Sequence, residues 1–319
     1  SAARTATTSA ARRWWSTAEP ELAQQHPFDR AIALTPAASG DGAGLTGAPA
    51  QGDAAERGRM RRLVGQTSPD YWNVAGPFGG ITAATLLNAV LLQPDRLPVP
   101  LALTVSYCGA IRQGAFDIAV RCLRGGRTTQ HWAVDLTQGP DREVMASALV
   151  VCVLRRDTWG AREARPPEVD PAPAQFGARP GKGPPWLVHY REHLVRGELF
   201  RGNPHSETVT WVADAPARAL DYPALAAICD AFFPRIFLRR PTFVPVATVS
   251  LNVYFHAGHQ IMAEQGATPV LAQASGQVFN EGFCDQEGRV WGLDDHLLAT
   301  THQVRSEEHT SELQSQSLI

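Results

Sequence analysis

The amino-acid sequence predicts an α+β protein of two similar halves, each an antiparallel sheet wrapped around one long, mostly buried helix. Three observations predict it. The same order of elements recurs on either side of a Pro-rich stretch between Arg155 and Tyr190. Each half holds one helix candidate almost without a polar face, as expected of a helix buried on most sides. The other periodic segments are strand-length runs rich in β-branched and aromatic residues, bounded by turn signals.

Residues 1–25 are rich in Ala, Ser, Thr and Arg and read as a disordered leader or an incomplete N-terminal segment. The first half, 26–155, opens with strand candidates Phe28–Leu34 and Met60–Gln66, separated by a Gly/Ala/Pro-rich insertion over Ala38–Gly58. A helix follows over Gly79–Leu92 and stops at Pro94, because proline cannot continue it. Strands are expected over Leu101–Tyr107, Phe116–Leu123, Thr128–Thr137 and Val144–Leu154, with Gly125-Gly126 marking a hairpin. Residues 156–189 have linker composition. The second half, 190–305, offers strands over Glu207–Val212, Val246–Phe255, Val270–Phe279 and Leu297–Val304. Its helix spans Tyr222–Phe233, started by Asp221 and Pro223. The repeat is visible in residues: Val99-Pro100 before Tyr107 parallels Val244-Pro245 before Phe255. The stretch from Arg305 to Ile319 resembles the translated read-through of a sequencing-library adapter, so 306–319 is expected to be a disordered tail outside the fold.

At 44% hydrophobic and 19% charged residues, with formal charge -2, the chain can bury a large core and shows no polyelectrolyte character. Arginines are scattered and not striped with aromatics, so no nucleic-acid partner is expected. No apolar run is long enough to span a bilayer, so no membrane partner is expected either. Five cysteines without close pairs read as reduced, packed thiols, which points to a cytoplasmic setting.

One residue stands out chemically. Asp230 lies among Leu225, Ile228, Cys229, Phe232 and Phe233, which leave the helix no polar face. A buried carboxylate needs partners, and desolvation with specific partners is how catalytic carboxylates are prepared. The plainer alternative is a helix-terminal Asp near Pro234 that reaches solvent or caps the next turn.

At this point the chain resembles a known family, the double-hotdog acyl-CoA thioesterases of the bacterial thioesterase II type, over roughly Asp29 to Gln303. In the first half the resemblance rests on Gly76-Pro-Phe-Gly-Gly80, which opens the helix, and on Leu123-Arg-Gly-Gly-Arg127 at the hairpin. In the second it rests on Ile228-Cys-Asp-Ala-Phe-Phe-Pro234, on Val246-Ala-Thr-Val-Ser-Leu-Asn-Val-Tyr-Phe-His256 and on Leu297-Leu-Ala-Thr-Thr-His-Gln303. The resemblance implies two tandem hotdog folds and hydrolysis of acyl-CoA to fatty acid and coenzyme A without cofactor or metal. It also implies side-by-side association of copies. Asp230, Thr248 and Gln303 then hold the attacking water; their counterparts in the first half, near Leu87, Pro100 and Val150, are apolar. Ser250 and Asn252 depart from the family pattern after the Thr.

On this reading Asp230 takes the water's proton while Thr248 and Gln303 aim it. Phe78, Gly79 and Gly80 are expected at the substrate, with a glycine N–H at the helix start polarising the thioester carbonyl. Tight helix–sheet packing explains the glycines equally well. Arg124 and Arg127, flanking the hairpin turn, are assigned to coenzyme A phosphates against the alternative of a solvated turn. His256, His259 and the Asp294-Asp295-His296 run with His302 are read as solvated and not as metal ligands. Two rivals remain: a hotdog enoyl-CoA hydratase, which would need a His soon after Asp230, and a non-catalytic acyl-CoA-binding module.

Overall fold

The structure, a computed structural model, describes residues 25–37, 60–177 and 183–307. Most of the expected leader, the Ala38–Gly58 insertion and the chain beyond Glu307 lie outside the described residues. The first element of the described residues is a helix, α1 (Pro27–Ala31), where a strand over Phe28–Leu34 is expected. Pro27 at its first position and the His26 ring, which accepts the Phe28 N–H at 3.1 Å, start a helix and override the apolar run. Then come β1 (Thr35–Pro36), β2 (Arg61–Gln66), α2 (Gly79–Leu91), β3 (Val99–Tyr107), β4 (Ala115–Gly125), β5 (Thr129–Gln138) and β6 (Glu143–Val153).

The rest comprises β7 (Tyr190–Arg196), β8 (Thr208–Asp214), α3 (Tyr222–Ile228), α4 (Ile236–Arg239), β9 (Val246–Phe255) and α5 (His259–Gln265). It ends with β10 (Val270–Ser275), β11 (Phe279–Asn280), β12 (Phe283–Trp291) and β13 (Leu297–Glu307). Two full strands, β7 and β12, are absent from the sequence-based expectation. Asp285, Gln286, Glu287 and Arg289 hide the apolar alternation of β12.

All strands belong to one antiparallel sheet in the order β1-β2-β4-β5-β6-β3-β9-β13-β12-β10-β8-β7, with β11 paired to β12. That order is symmetric about the seam between β3 and β9. Counted outward, β6, β5, β4, β2 and β1 on one side match β13, β12, β10, β8 and β7 on the other. Across the seam the Thr104 hydroxyl donates to Asn252 Oδ1 at 2.8 Å.

Helices α2 and α3 pack against one another and against the sheet's inner face, and the core of Leu86, Leu87, Leu103, Ile118, Leu225 and Phe255 lies between them. The helices differ in length. α2 has 13 residues and is buried all round, whereas α3 has only seven, so a long central helix is present only in the first half.

The Pro-rich stretch is a strap and not a free linker. Ala164 and Val169 pack on Val209, Leu271 and Trp291, and the Trp211 indole donates to Asp170 O at 3.2 Å. At the far end β13 runs to Glu307. Ser306 and Glu307 are therefore strand residues, contrary to the expected tail, paired with Ala247 and Val246. No helix among the described residues is long and apolar enough to cross a membrane.

One buried acid lies apart from these features. Asp214, paired with Tyr190 at the end of β8, has its Oδ1 buried without a hydrogen-bond partner. Burial pushes its carboxyl from 3.8 up to about 7, despite the opposing pull of Arg218. The native state thus holds a proton that the unfolded chain releases near 3.8. Stability therefore falls as pH rises from that value to about 7, and the full cost is present above it. Asp214→Asn should be more stable than the parent at pH 8 by on the order of 2 kcal/mol, and so melt at a higher temperature, with the gap closing towards pH 4. Melting curves across that range check it; a constant gap would place the origin outside the carboxyl's titration.

Candidate active site

Asp221 caps α3 by accepting the Ala224 N–H at 2.9 Å. The helix ends early because the backbone tightens: Asp230 N–H reaches Ala227 O and Ala231 N–H reaches Ile228 O, both three residues back. Pro234 then bars helical geometry at Phe233. Asp230 therefore lies in the turn after the helix and not inside it. It is only 4% exposed, so the solvent-reaching alternative does not hold.

The turn delivers the carboxylate to the start of α2. A Cβ at Gly79 would sit 2.7 Å from Asp230 Oδ2, so only glycine leaves room for the acid there. The Gly80 amide is directed at the carboxylate, and the helix dipole adds to its pull. Gly80 serves packing as well: a Cβ there would sit 2.6 Å from Ala227 O, so its lack of a side chain lets α3 approach. The Gly79 N–H has no partner among the described residues. Phe78 precedes both and stacks on Trp186 at 4.2 Å, fixing where the helix begins. The Tyr107 hydroxyl donates to Gly79 O at 2.7 Å; burial and the nearby Asp230 keep that phenol protonated.

β13 supplies the other wall. Its inward residues Thr301, Gln303 and Arg305 are buried, and Gln303 Nε2 donates to Cys229 O at 2.8 Å. Arg305 Nη2 donates to Asp230 Oδ1 at 2.9 Å in an ion pair that is almost wholly buried. A sequence-based reading misses Arg305 because it begins the stretch set aside as adapter-like. It also misses Tyr107, whose strand pattern gives no hint of a site.

Thr248 reaches this wall through a bulge. Ser250 pairs with Val304 and Thr248 with Arg305, so Val249 is the extra residue and the inward face of β9 changes parity there. Thr248 is half-buried opposite Arg305, and its hydroxyl has no hydrogen-bond partner among the described residues. Ser250 and Asn252 lie on the outer face, so their departure from the family pattern does not touch this wall.

The structure thus brings Asp230, Gln303, Thr248, Gly79 and Gly80 together, with Phe78 behind them. It does not bring Arg124 and Arg127. Their hairpin closes the end of β4 and β5 away from Tyr107, roughly 20–25 Å along the strands from the end where α2 begins.

Burial is the largest influence on Asp230 and raises its carboxyl; Arg305, the Gly80 amide and Gln303 pull it back, leaving it raised from 3.8 to about 6. The acid is ionised at neutral pH and takes up a proton readily. Gln303 Oε1, also buried, is an acceptor without a partner.

Two outcomes follow. Arg305→Ala removes a downward pull, so Asp230 should titrate at least half a unit higher by carboxyl-carbon NMR, since an opposite charge in contact is worth one or more units. Gly79→Ala intrudes on the carboxylate, and turnover of any substrate whose reaction uses Asp230 should fall roughly tenfold or more. An unchanged titration, or full turnover in Gly79→Ala, would contradict the geometry.

The acyl-CoA thioesterase N-terminal domain model matches residues 68–153, and the acyl-CoA thioesterase C-terminal domain model matches 163–305. A hotdog-fold protein of unknown function from Alicyclobacillus acidocaldarius is 36% identical, with TM-score 0.78 over 89% of this chain and 99% of its own. The acyl-CoA thioesterase II TesB2 of Mycobacterium marinum is 16% identical, with TM-score 0.62 over 89% and 99%. A candidate thioesterase II from Thermobifida fusca is 17% identical, with TM-score 0.70 over 88% and 97%. These last two likenesses are of fold. A search of curated protein sequences finds no match.

Proposed function

The chain belongs to the acyl-CoA thioesterase family, and from that premise we propose that it hydrolyses acyl-CoA to the free acid and coenzyme A in one site. That site lies where two fused hotdog halves meet. The observation that carries the reading is the buried carboxylate of Asp230, held against the start of α2 and titrating near 6.

Arg305 engages Oδ1, so Oδ2, beside Gly79, is the oxygen that takes the proton. A water donates one hydrogen to Oδ2 and the other to the unpartnered Gln303 Oε1, while the Thr248 hydroxyl adjusts to its lone pair. The water oxygen bonds to the thioester carbon as its proton passes to Asp230. The Gly79 N–H, at the positive end of α2, meets the developing oxyanion. Collapse breaks the C–S bond, and the proton on Asp230 passes to the leaving thiolate, giving acid, thiol and a regenerated carboxylate. The acyl-CoA substrate, the absence of any cofactor or metal, and side-by-side association of copies in the cytoplasm belong to the same proposal. Contact of Arg124 and Arg127 with the coenzyme A phosphates, which lie a pantetheine arm away from the thioester, belongs to it as well.

The test is thiol release by the purified protein over acyl-CoAs of graded length. Asp230→Asn keeps the shape and removes the base, so kcat should fall roughly 10²- to 10⁴-fold with folding intact. Combined with Gln303→Ala, the loss should be much smaller than the product of the single losses, because both act on one water. In the parent, kcat should rise with pH through about 6 and level off, since the base must be ionised. Acyl-CoA binding without thiol release would favour the binding module, and hydration of an enoyl-CoA the hydratase. Near-normal turnover by Asp230→Asn would remove the proposed base.

A further inference from the structure

Behind the carboxylate lies a second buried polar group that the proposed chemistry does not use. Arg235 is 0% exposed, and among the described residues it has no acidic partner. Its guanidinium is held by neutral acceptors: Ser206 O and Thr208 Oγ1 at 2.8 Å, Ala274 O at 3.0 Å, Phe233 O at 2.9 Å and Gln286 Oε1 at 3.2 Å. A buried cation is costly unless every donor is met. Here each of the three nitrogens has an acceptor: the Thr208 hydroxyl on β8 and Ser206 O just before it, Ala274 O on β10, Gln286 Oε1 on β12, and Phe233 O in the turn that follows Asp230. Arg235 ties that turn to three strands.

Gln286 is the partner with a consequence. It lies on β12 directly opposite Gln303 on β13, and both side chains are 0% exposed. Which way round an amide sits is normally ambiguous, but here each is fixed by a partner of one kind. Arg235 can only donate, so the Gln286 oxygen faces it and the NH₂ points elsewhere. Cys229 O can only accept, so the Gln303 nitrogen faces it and the oxygen points elsewhere. The two atoms left over are Gln286 Nε2 and Gln303 Oε1, a donor and an acceptor, both buried and both without a partner. Facing residues of an antiparallel pair have Cβ atoms about 5 Å apart; the leftover donor and acceptor do not bond directly, but at that spacing one water can bridge them.

We propose that Gln286 is a positioning residue that acts through Gln303: its NH₂, oriented by Arg235, holds the Gln303 amide through one bridging water, with the Gln303 nitrogen towards the Asp230 turn and its oxygen fixed at the site. The role deepens the hydrolase reading and rests on it for its kinetic expression only. Gln303 gains from such a neighbour because its amide is anchored at the nitrogen end alone, so a second hydrogen bond at the oxygen raises the cost of the turned-over orientation. Burial makes a misplaced amide expensive, and Arg235 selects the orientation by charge-assisted hydrogen bonding.

The experiment is a double-mutant cycle with an added titration. Gln286→Met preserves length and removes both hydrogen-bonding ends. It should lower kcat roughly tenfold with KM within about twofold, a coupling of ordinary size for neighbours in one network. In a Gln303→Ala background the same change should cost less than about twofold, because the residue it acts through is gone. A packing role would cost the same in both backgrounds. Gln303 favours the ionised form of Asp230, so Gln286→Met should also move the Asp230 carboxyl-carbon midpoint upward. Should Gln286→Met not fold, Gln286→Glu keeps the Arg235 contact and is read in the same cycle, where its added charge acts in both backgrounds and cancels. Losses that multiply in full, or an unmoved midpoint, overturn the proposal. If the parent releases no thiol, the hydrolase reading fails, and the midpoint alone decides the positioning role.

Discussion

Burial of an ionised carboxylate between the two halves is the constraint on which the other features of the site depend. Taking such a group out of water costs several kcal/mol even after relaxation. A single cation at about 4 Å returns about 4 kcal/mol at an effective dielectric of 20, so Arg305 offsets much of the cost but not all of it. The remainder must come from oriented dipoles, and these determine what the neighbouring elements look like. α3 must stop after seven residues so that the turn can present Asp230 to α2. α2 must begin with Gly79, because any Cβ there would meet the carboxylate. β9 must bulge at Val249, or Thr248 would face away from Arg305 and Gln303. Each departs from regular geometry, and each is accounted for by the same acid.

The symmetric strand order makes the asymmetry of chemistry informative. β6 and β13 hold equivalent places beside the seam, yet Val150 on β6 is a buried core residue where β13 carries buried Gln303 and Arg305. Leu87 likewise packs in the core of the first half. Confining the polar groups to one half lets the other supply its helix start, α2, as an electrostatic platform and its apolar residues as core.

Much of the site is legible in the sequence, because a polar residue in an apolar run is conspicuous. Asp230 among Ile228, Cys229, Phe232 and Phe233 declares itself, and the glycines at 79 and 80 announce a close approach. Strands with clear alternation, such as β9, are legible to the residue. What is not legible is whatever depends on register or on a distant partner. The polar β12 hides its inward positions, so Gln286 gives no sign of facing Gln303. Arg235 looks like an exposed arginine after a proline, and only the fold shows three strands closing over it. The Thr248 bulge follows from pairing with β13 and from nothing local. Arg124 and Arg127 show the converse: a basic hairpin is visible in sequence, but which end of the sheet it closes is not.

The final proton affinity of Asp230 reflects two large effects of opposite sign. Burial alone moves a carboxyl by as much as three to five units, and the ion pair with the amide donors brings it back to about 6. That position matters for a base. A carboxylate in water binds a proton too weakly to draw one from an attacking water, and one buried without partners would already be protonated at neutral pH. Between those limits the acid is ionised yet near its own midpoint, where accepting and returning a proton cost little. The donors that set this balance come from two elements, Arg305 and Gln303 on β13 and Gly80 on α2, while Cys229 O in the turn accepts from Gln303 and orients it. A shift of any one changes the proton affinity without touching the acid, so the rigidity of the sheet helps to fix that affinity. Arg235 contributes to that rigidity by binding the turn to β8, β10 and β12 at once.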